Sequence, residues 1–206
     1  MVEKSFKERV RLELMAAAIK YKQIYVDYEY LICSEGFVQN NYYIVAGKED
    51  NFQHLTGVHT NLKPKEFYFK CIQGVLSDSD FDYIKFGQDE KMVKGTVRRK
   101  IQSLPNMMEL FKEGVQTEEE FKKNKVFCSF ATADGKCTLG FSDSQKARPK
   151  TLLKGNELNN PKPVELILRK KSGQDLFHEF ILGNKDTVLK YREKIENLVS
   201  EELLKQ

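Results

Sequence analysis

The chain has 206 residues, of which 40% are hydrophobic and 31% charged, and 34 Lys or Arg against 30 Asp or Glu give a formal net charge of +4. This composition is typical of a folded soluble protein with a sizeable core, and it excludes extensive disorder. No stretch approaches the ~18 apolar residues of a membrane span, and charges interrupt the N-terminus where a signal peptide is apolar. We therefore expect a single cytoplasmic domain, residues 1–206.

The four cysteines lie at positions 33, 71, 128 and 137, without C-x-x-C pairs or the spacing of a zinc site. Because cysteine is among the most buried residue types, we expect buried thiols in a reducing compartment. The sequence also lacks the P-loop, G-x-G-x-x-G, H-E-x-x-H and G-x-S-x-G motifs. We expect neither a metal nor a cofactor.

The first third of the chain predicts helix, strand, strand and helix. Residues 5–22 place apolar side chains at three- and four-residue steps, which indicates an amphipathic helix. Tyr28–Cys33 and Tyr42–Ala46 are rich in aromatic and aliphatic residues, so they predict a strand pair. A short helix over 65–73 follows, and Gly74 would end it.

The middle of the chain changes character twice. Residues 77–124 are charged and poor in β-branched runs, which predicts a helical insertion broken by Gly87 and Pro105. Val126–Ala133 then predicts a strand that returns through an Asp-Gly turn and a second strand over 136–142, because Asp-Gly is a strong hairpin signal. Residues 143–163 are interpreted as a basic loop.

The last third predicts a second hairpin and a helix. Val164–Arg169 and Leu176–Leu182 flank a Ser-Gly-Gln-Asp turn, and 186–204 carries apolar residues on a helical period. Together the elements predict an α+β fold, with an antiparallel sheet of about four to six strands packed with N-terminal, central and C-terminal helices. Its core would span about 5–182.

Histidine is the side chain that exchanges protons near neutral pH, and two of the chain's three histidines lie close together. His54 and His59 are five apart, so they would not share a face of a strand, and we interpret His59 as an incidental surface residue. His54 and Thr56 are two apart, and in an extended segment they would face one pocket. In the alternative, His54 is a core histidine between Phe52 and Leu55 with its nitrogens bonded to the backbone.

Positive charge is concentrated in two segments. Residues 146–171 contain eight Lys or Arg against two acids, and 91–100 contain five without an acid. Each segment alone is typical of a solvated face. A histidine together with cationic side chains nevertheless suffices for cleavage of RNA without a metal, since the 2′-hydroxyl is the nucleophile. That chemistry leaves a cyclic 2′,3′-phosphate and a 5′-hydroxyl.

The segment 51–58, Asn-Phe-Gln-His-Leu-Thr-Gly-Val, followed by Lys-Glu-Phe-Tyr at 65–68, resembles the F-x-H-L-T-G-type signature of a nuclease group found in phages and prophages. That group is the fourth phage family assigned to the barnase, EndoU, colicin and RelE-like (BECR) superfamily. Thr138–Phe141 resembles its T-L-G-F-like element, and Pro149–Leu153 resembles the segment that follows. The similarity spans about 5–182 and leaves the final helix outside.

The resemblance implies a small metal-independent endoribonuclease, often a toxin against tRNA or mRNA, with helices on a four-stranded antiparallel sheet. We predict that His54 is the general acid or base and that Thr56 orients the phosphate or holds His54. Lys146 and Arg148 would stabilise the phosphorane, and His178 would be the second acid–base group. The predicted RNA-binding residues are Lys150, Lys154, Arg169, Lys170 and Lys171. The expected partners are a tRNA-like substrate and a cognate antitoxin or immunity protein, with no membrane.

Two other functions fit the same residues. The chain could be a nucleic-acid-binding module that lost the chemistry, in which case binding is salt-sensitive and no cleavage occurs. It could also be a protein-interaction component, such as a phage accessory protein, whose helices at 89–124 and 186–204 bind a partner.

Overall fold

The computed structural model describes residues 4–123 and 125–205, and it shows an α+β fold, as predicted. The helices are α1 (Phe6–Tyr21), α2 (Asn51–Thr56), α3 (Pro64–Ile72), α4 (Glu90–Met108), α5 (Lys185–Lys190), α6 (Arg192–Ile195) and α7 (Glu201–Leu204), and a π-helical turn, Lys22–Val26, extends α1. The strands are β1 (Tyr28–Cys33), β2 (Tyr43–Ala46), β3 (Gln116–Glu119), β4 (Lys122–Lys123), β5 (Val126–Phe127), β6 (Phe130–Ala133), β7 (Cys137–Phe141), β8 (Pro149–Lys154), β9 (Lys162–Pro163), β10 (Leu166–Lys171) and β11 (Glu179–Leu182).

Two larger antiparallel sheets and one short ribbon contain these strands. The first sheet has the order β11-β10-β1-β2, the second has the order β8-β7-β6-β3-β9, and β4 pairs with β5. The two sheets meet where Ala147, just before β8, pairs with β2. The Ala46 amide donates to the Ala147 carbonyl at 3.0 Å, and the Ala147 amide donates to the Ile44 carbonyl at 2.7 Å. We call this junction, formed by 44–46 and 147, the seam.

Apolar side chains on both faces of β1 are buried. One face, with Tyr30 and Ile32, joins the main core under α1 and α4, and the other, with Leu31 and Cys33, joins a smaller core under the C-terminal helices. Successive side chains of a strand point to opposite faces, so one strand serves both cores. All four cysteines are buried free thiols, as predicted.

The segment around His54 is helical, and the predicted extended conformation is wrong. α2 runs from Asn51 to Thr56, and Gly57 ends it with a φ of +78°, a left-handed conformation that glycine adopts without steric cost. The apolar Phe52 and Leu55 are both fully buried beneath the helix. Their three-residue spacing was the signal for a helix, but six residues are too few for a clear period.

The structure has strands in two regions where the sequence predicted a helical insertion and a loop. In residues 77–123 of the predicted helical insertion, the structure has one long helix, α4, and Pro105 lies within it without breaking it. β3 follows α4 and pairs with β6. The predicted basic loop 143–163 contains β8, paired with β7. β8 was not predicted because its lysines, such as the exposed Lys150 between two buried neighbours, give the segment the composition of a loop.

The predicted C-terminal helix is three short helices instead of one. The Phe177 amide donates to the Leu198 carbonyl at 2.8 Å, and the Ser200 amide donates to the Phe177 carbonyl at 2.9 Å. These bonds hold 198–200 extended beside Phe177, so the helix cannot continue through them.

We predict that Gly140→Ala destabilises the protein by about 1–3 kcal/mol, the usual cost of overpacking. Gly140 lies in the Thr-Leu-Gly-Phe element of β7, and a Cβ there would lie 2.6 Å from Cys128 Sγ and 2.8 Å from Thr151 Cγ2. Gly95→Ala in α4 is the matched control, because its Cβ would meet nothing within 4 Å and alanine favours helix by about 1 kcal/mol. Urea denaturation followed by circular dichroism measures both. Equal stability of the two variants would contradict the packing argument.

Candidate functional site

An open cleft of about 730 Å³ lies at the end of the first sheet, beside the seam. Its walls are the loop 46–50 that follows β2 and the loop 144–148 that precedes β8, and Glu29 of β1 lies between them. The charged residues of the lining are Glu29, Lys48, Glu49, Asp50, Lys65, Lys146 and Arg148. Because the cationic and acidic side chains are nearly equal in number, the cleft has little net charge. An anion would therefore be held by contacts with individual side chains and not by the electrostatic potential of the whole cleft.

Glu29 is the buried carboxylate of the cleft, with a side chain only 8% exposed. Its Oε1 accepts a hydrogen bond from Lys146 Nζ at 2.6 Å. Its Oε2 lies 3.5 Å from Lys170 Nζ and makes no hydrogen bond within the described residues. Removing a carboxylate from water is costly unless cations and hydrogen bonds compensate, and here two lysines do so.

Cross-strand pairing explains how Glu29 obtains these partners. Glu29 lies directly opposite Lys170 on β10 and Ala46 on β2. Directly opposed residues of antiparallel strands project to the same face, so Lys170 reaches the carboxylate from the same sheet. Lys146 reaches it from the other side, because the seam holds Ala147 against β2. No sequence pattern near Glu29 indicates this cluster, since Lys146 is 117 positions away.

The predicted residues Lys146 and Arg148 both line the cleft. Ala147 between them is 1% exposed and packs into the main core. Since side chains alternate along extended backbone, burying Ala147 directs Lys146 and Arg148 away from the core. Lys146 is half-exposed, and in the described part of the chain the Arg148 guanidinium makes no salt bridge. The pair therefore presents two cations where a phosphate can enter.

His54 is exposed on α2 and is not itself one of the residues that line the cleft. It follows Asp50, which lines the cleft, by four positions. Residues four apart lie one above the other on a helix, with Cβ atoms about 5–6 Å apart, so His54 is one turn from the cleft wall. This exposed position contradicts the alternative of a core histidine.

Thr56 does not share this face. It is fully buried, and its hydroxyl donates to the Gln53 carbonyl at 2.7 Å. Residues two apart on a helix point in nearly opposite directions. The pocket shared by His54 and Thr56 was expected for an extended segment, and this segment is helical, so the two side chains do not share a pocket. Thr56 instead holds the C-terminal end of α2.

The sequence of residues 13–201 matches the family described as phage-Barnase-EndoU-ColicinE5/D-RelE like nuclease4. The chain belongs to this nuclease family. The match covers α5 and α6, so the expectation that the C-terminal segment lies outside the resemblance is wrong. No curated protein and no solved structure matches the chain. Membership in a nuclease family implies a nucleic-acid substrate, which fits the paired cations of the cleft.

The other predicted residues of this nuclease lie outside the cleft. His178 is exposed before β11, at the opposite edge of the sheet from β2, and its Nδ1 is 3.2 Å from the Leu176 carbonyl. His59 pairs with Asp82 at 2.9 Å, and both side chains are partly exposed. Arg169 forms a two-point ion pair with Glu179.

The predicted RNA-binding lysines differ in their positions. Lys170 is 8% exposed and donates to the Asp175 carbonyl at 2.9 Å, so it supports Glu29 and does not present a surface cation. Lys154 and Lys171 are exposed at the ends of β8 and β10. Lys150 lies in a second hollow beyond the seam.

The nuclease shows no preformed metal cluster in residues 4–123 and 125–205, where no three His, Cys, Asp or Glu side chains are grouped to hold one. None of the helices in those two ranges has the length and apolar character needed to cross a bilayer.

Lys100 of α4 lies beside the His54 motif. From the sequence, Lys100 was noted only as part of the basic segment 91–100. Its Nζ donates to the His54 carbonyl at 3.0 Å, and its stem covers Gly57, where a Cβ would lie 2.8 Å from Lys100 Cδ. Burial, with a smaller contribution from the charge of Lys85, lowers the pKa of Lys100 to about 8. Lys100 thus packs on the end of the helix that carries His54.

We predict a pH signature for this contact. Because the pKa of Lys100 is lower in the folded protein than in the unfolded chain, the unfolded chain binds more protons between pH 8 and about 10.4. The free energy of unfolding of the wild type should therefore rise relative to that of Lys100→Met across this window. Urea titrations at several pH values measure the difference. Arg99→Met on the exposed side of the same helix is the control and should show a constant difference. A constant difference for Lys100→Met as well would contradict the prediction.

Proposed function

We propose that this nuclease is an endoribonuclease that cleaves RNA by attack of a 2′-hydroxyl on the adjacent phosphate, without a metal. The observation that carries the proposal is the buried Glu29 carboxylate, which lies in an open cleft with Lys146 bound to it and Arg148 beside it. Such a carboxylate beside cations in a cleft is an arrangement common to acid–base sites.

Glu29 is the general base in this proposal. An ionised carboxylate only accepts hydrogen bonds. Oε2 of Glu29 is buried without a donor in the described structure, so Oε1, which Lys146 holds, is the oxygen that a substrate can reach once Lys146 is displaced. When a phosphate enters, it competes with Glu29 for the half-exposed Lys146. The carboxylate is then released toward the 2′-hydroxyl, from which it takes the proton as the oxygen attacks phosphorus.

His54 is the general acid, and Lys146 and Arg148 stabilise the transition state. As the P–O5′ bond breaks, the 5′-oxygen takes a proton from the imidazolium of His54. The two cations compensate for the charge that builds on the non-bridging phosphate oxygens. The products are a cyclic 2′,3′-phosphate and a 5′-hydroxyl, and a later proton exchange with water restores Glu29 and His54.

The biological role in this proposal is that of a toxin or phage-conflict effector that acts on tRNA or another structured RNA in the cytoplasm. The phage association in the family's description supports this role. An RNase active in the cell that makes it would require a neutralising protein. Ile84, Phe86 and Met92, exposed apolar side chains before and in the first turn of α4, support the proposal as a candidate surface for such a partner. These exposed side chains equally favour a protein-interaction function without cleavage. The cleavage experiments below distinguish that function from the proposed nuclease.

We predict that Glu29→Asp and His54→Ala each lower kcat for RNA cleavage by about 10²-fold or more. Glu29→Asp keeps the charge that Lys170 needs but withdraws the carboxylate by one methylene, so the protein should remain folded. His59→Ala and His178→Ala are matched controls and should retain wild-type rates. The assay is cleavage of purified tRNA, with mass spectrometry of the new ends. Wild-type rates for both Glu29→Asp and His54→Ala would refute the assignment of these two residues as general base and general acid.

The same assay tests the nucleophile and the absence of a metal. A single 2′-deoxy nucleotide at the cleavage site should abolish cleavage there, because it removes the attacking oxygen. Cleavage should continue in excess EDTA. Cleavage that survives the deoxy substitution, or that EDTA stops, would rule out the proposed mechanism.

We predict further that Arg148→Gln weakens the binding of an uncleavable 2′-deoxy oligonucleotide and lowers the salt slope. Removing one phosphate contact on a single strand should reduce the slope of log K against log salt by about 0.7. Arg192→Gln on α6, outside the cleft, should leave the slope unchanged. Fluorescence anisotropy at a series of salt concentrations measures both variants, and equal slopes would exclude Arg148 as a phosphate contact.

A further inference from the structure

A second hollow, of about 490 Å³, lies beyond the seam from the catalytic cleft. The two share their boundaries, since the segment 143–150 contributes Lys146 and Arg148 to the cleft and Asp143 and Lys150 to the hollow. β2 likewise contributes Ala46 to the cleft and Tyr43 to the hollow. Tyr43 and Ala46 are three positions apart and project to opposite faces of β2, but Arg148 and Lys150 are two apart and project to the same side of their segment. At about 3.3 Å per residue Arg148 and Lys150 are about 7 Å apart, a distance that neighbouring nucleotides of a single strand can span.

An exposed aromatic ring forms one side of the hollow. Phe127 of β5 is 57% exposed, and Lys122 Nζ lies 4.6 Å from its ring centroid. Lys150 Nζ donates to the Phe127 carbonyl at 2.6 Å, which places a second cation at the backbone of the same residue. An exposed aromatic ring flanked by cations is the arrangement by which proteins bind single-stranded nucleic acid, with a base on the ring and the backbone on the cations.

The opposite wall is held in a fixed conformation. The Glu119 carboxylate accepts hydrogen bonds from the backbone amides of Val38, Gln39 and Asn40 at 2.7, 2.8 and 3.1 Å. It also accepts one from Tyr43 Oη at 2.7 Å. A wall ordered before binding reduces the conformational entropy that a ligand must remove.

Asp143 supplies a polar group for the edge of a base. It is exposed, and in the parts of the chain that the structure describes no salt bridge or hydrogen bond engages its carboxylate. A carboxylate accepts hydrogen bonds from the amino groups of bases, as in its pairing with the cytosine N4 amino group. Uracil has no amino group, so it is the base least suited to this contact.

We propose that this hollow binds one unpaired nucleobase of the RNA substrate, next to the scissile phosphate, with the base stacked on Phe127 and its amino group on Asp143. This inference rests on the proposed function, because it takes the cleft as the place of cleavage. The subsite would select unpaired nucleotides and disfavour uracil at that position.

The test uses the absence of tryptophan from the chain. Phe127→Trp introduces a single fluorophore at the ring, and an uncleavable 2′-deoxy oligonucleotide serves as the probe. Stacking should quench the tryptophan fluorescence saturably. Phe86→Trp, at a fully exposed phenylalanine outside both hollows, should show no saturable quench. Binding of the labelled probe without a quench in Phe127→Trp, or an equal quench in both variants, would overturn the proposal.

Cleavage kinetics give a second readout. Phe127→Ala should raise KM or weaken binding about tenfold, within the range for loss of one stacked base, with little change in kcat, and Phe127→Tyr should restore wild-type values. Asp143→Asn should remove the discrimination against uracil. A KM unchanged in Phe127→Ala overturns the subsite while the proposed function stands. A Phe127-dependent quench in a protein that never cleaves RNA overturns the proposed function and leaves the base-binding site.

Discussion

The pairing of Ala147 with β2 is the contact on which the candidate site depends. Two backbone hydrogen bonds, of 3.0 and 2.7 Å, hold this residue against Ile44 and Ala46 and so join the two sheets. The same contact sets the direction of the neighbouring side chains. Because Ala147 is buried, the alternation of extended backbone turns Lys146 and Arg148 into the cleft. A larger side chain at this buried position would overpack the main core beside the seam.

Glu29 and its lysines are better explained by chemistry than by stability. Replacing a buried ion pair by apolar residues is often neutral or stabilising, so an ion cluster is weak support for a stabilising role. The small core on the same face of β1 already packs Leu31 and Cys33. Glu29 is the next residue on that face of β1, and it borders the cleft. Its carboxylate adds little to the stability of the small core. Under the proposed function, it is the group that takes the proton of the 2′-hydroxyl.

The sequence predicts the elements whose signals are local, and it misses the features that depend on distant pairing. α1, β1, β2, α3 and the β6–β7 hairpin follow from periodicity and turn residues. β8 does not, because its lysine-rich composition indicates a loop until β7 pairs with it. The same holds for the cleft: its cations Lys146 and Arg148 were singled out from the local concentration of positive charge in the sequence. Glu29 was not, because only the strand register and the seam bring its partners to it.

The arrangement of the two hollows also bears on which RNA the nuclease can accept under the proposed function. A base that stacks on Phe127 has to leave its partner and its neighbours, and a continuous A-form helix does not permit this, since its bases are held inside and its major groove is deep and narrow. Only a loop, bulge or end presents an unpaired base beside an accessible phosphate. The 2′-hydroxyl must also move in line with the leaving oxygen, which a flexible unpaired nucleotide allows. A folded RNA with exposed loops, such as tRNA, meets both conditions, and a continuous duplex meets neither.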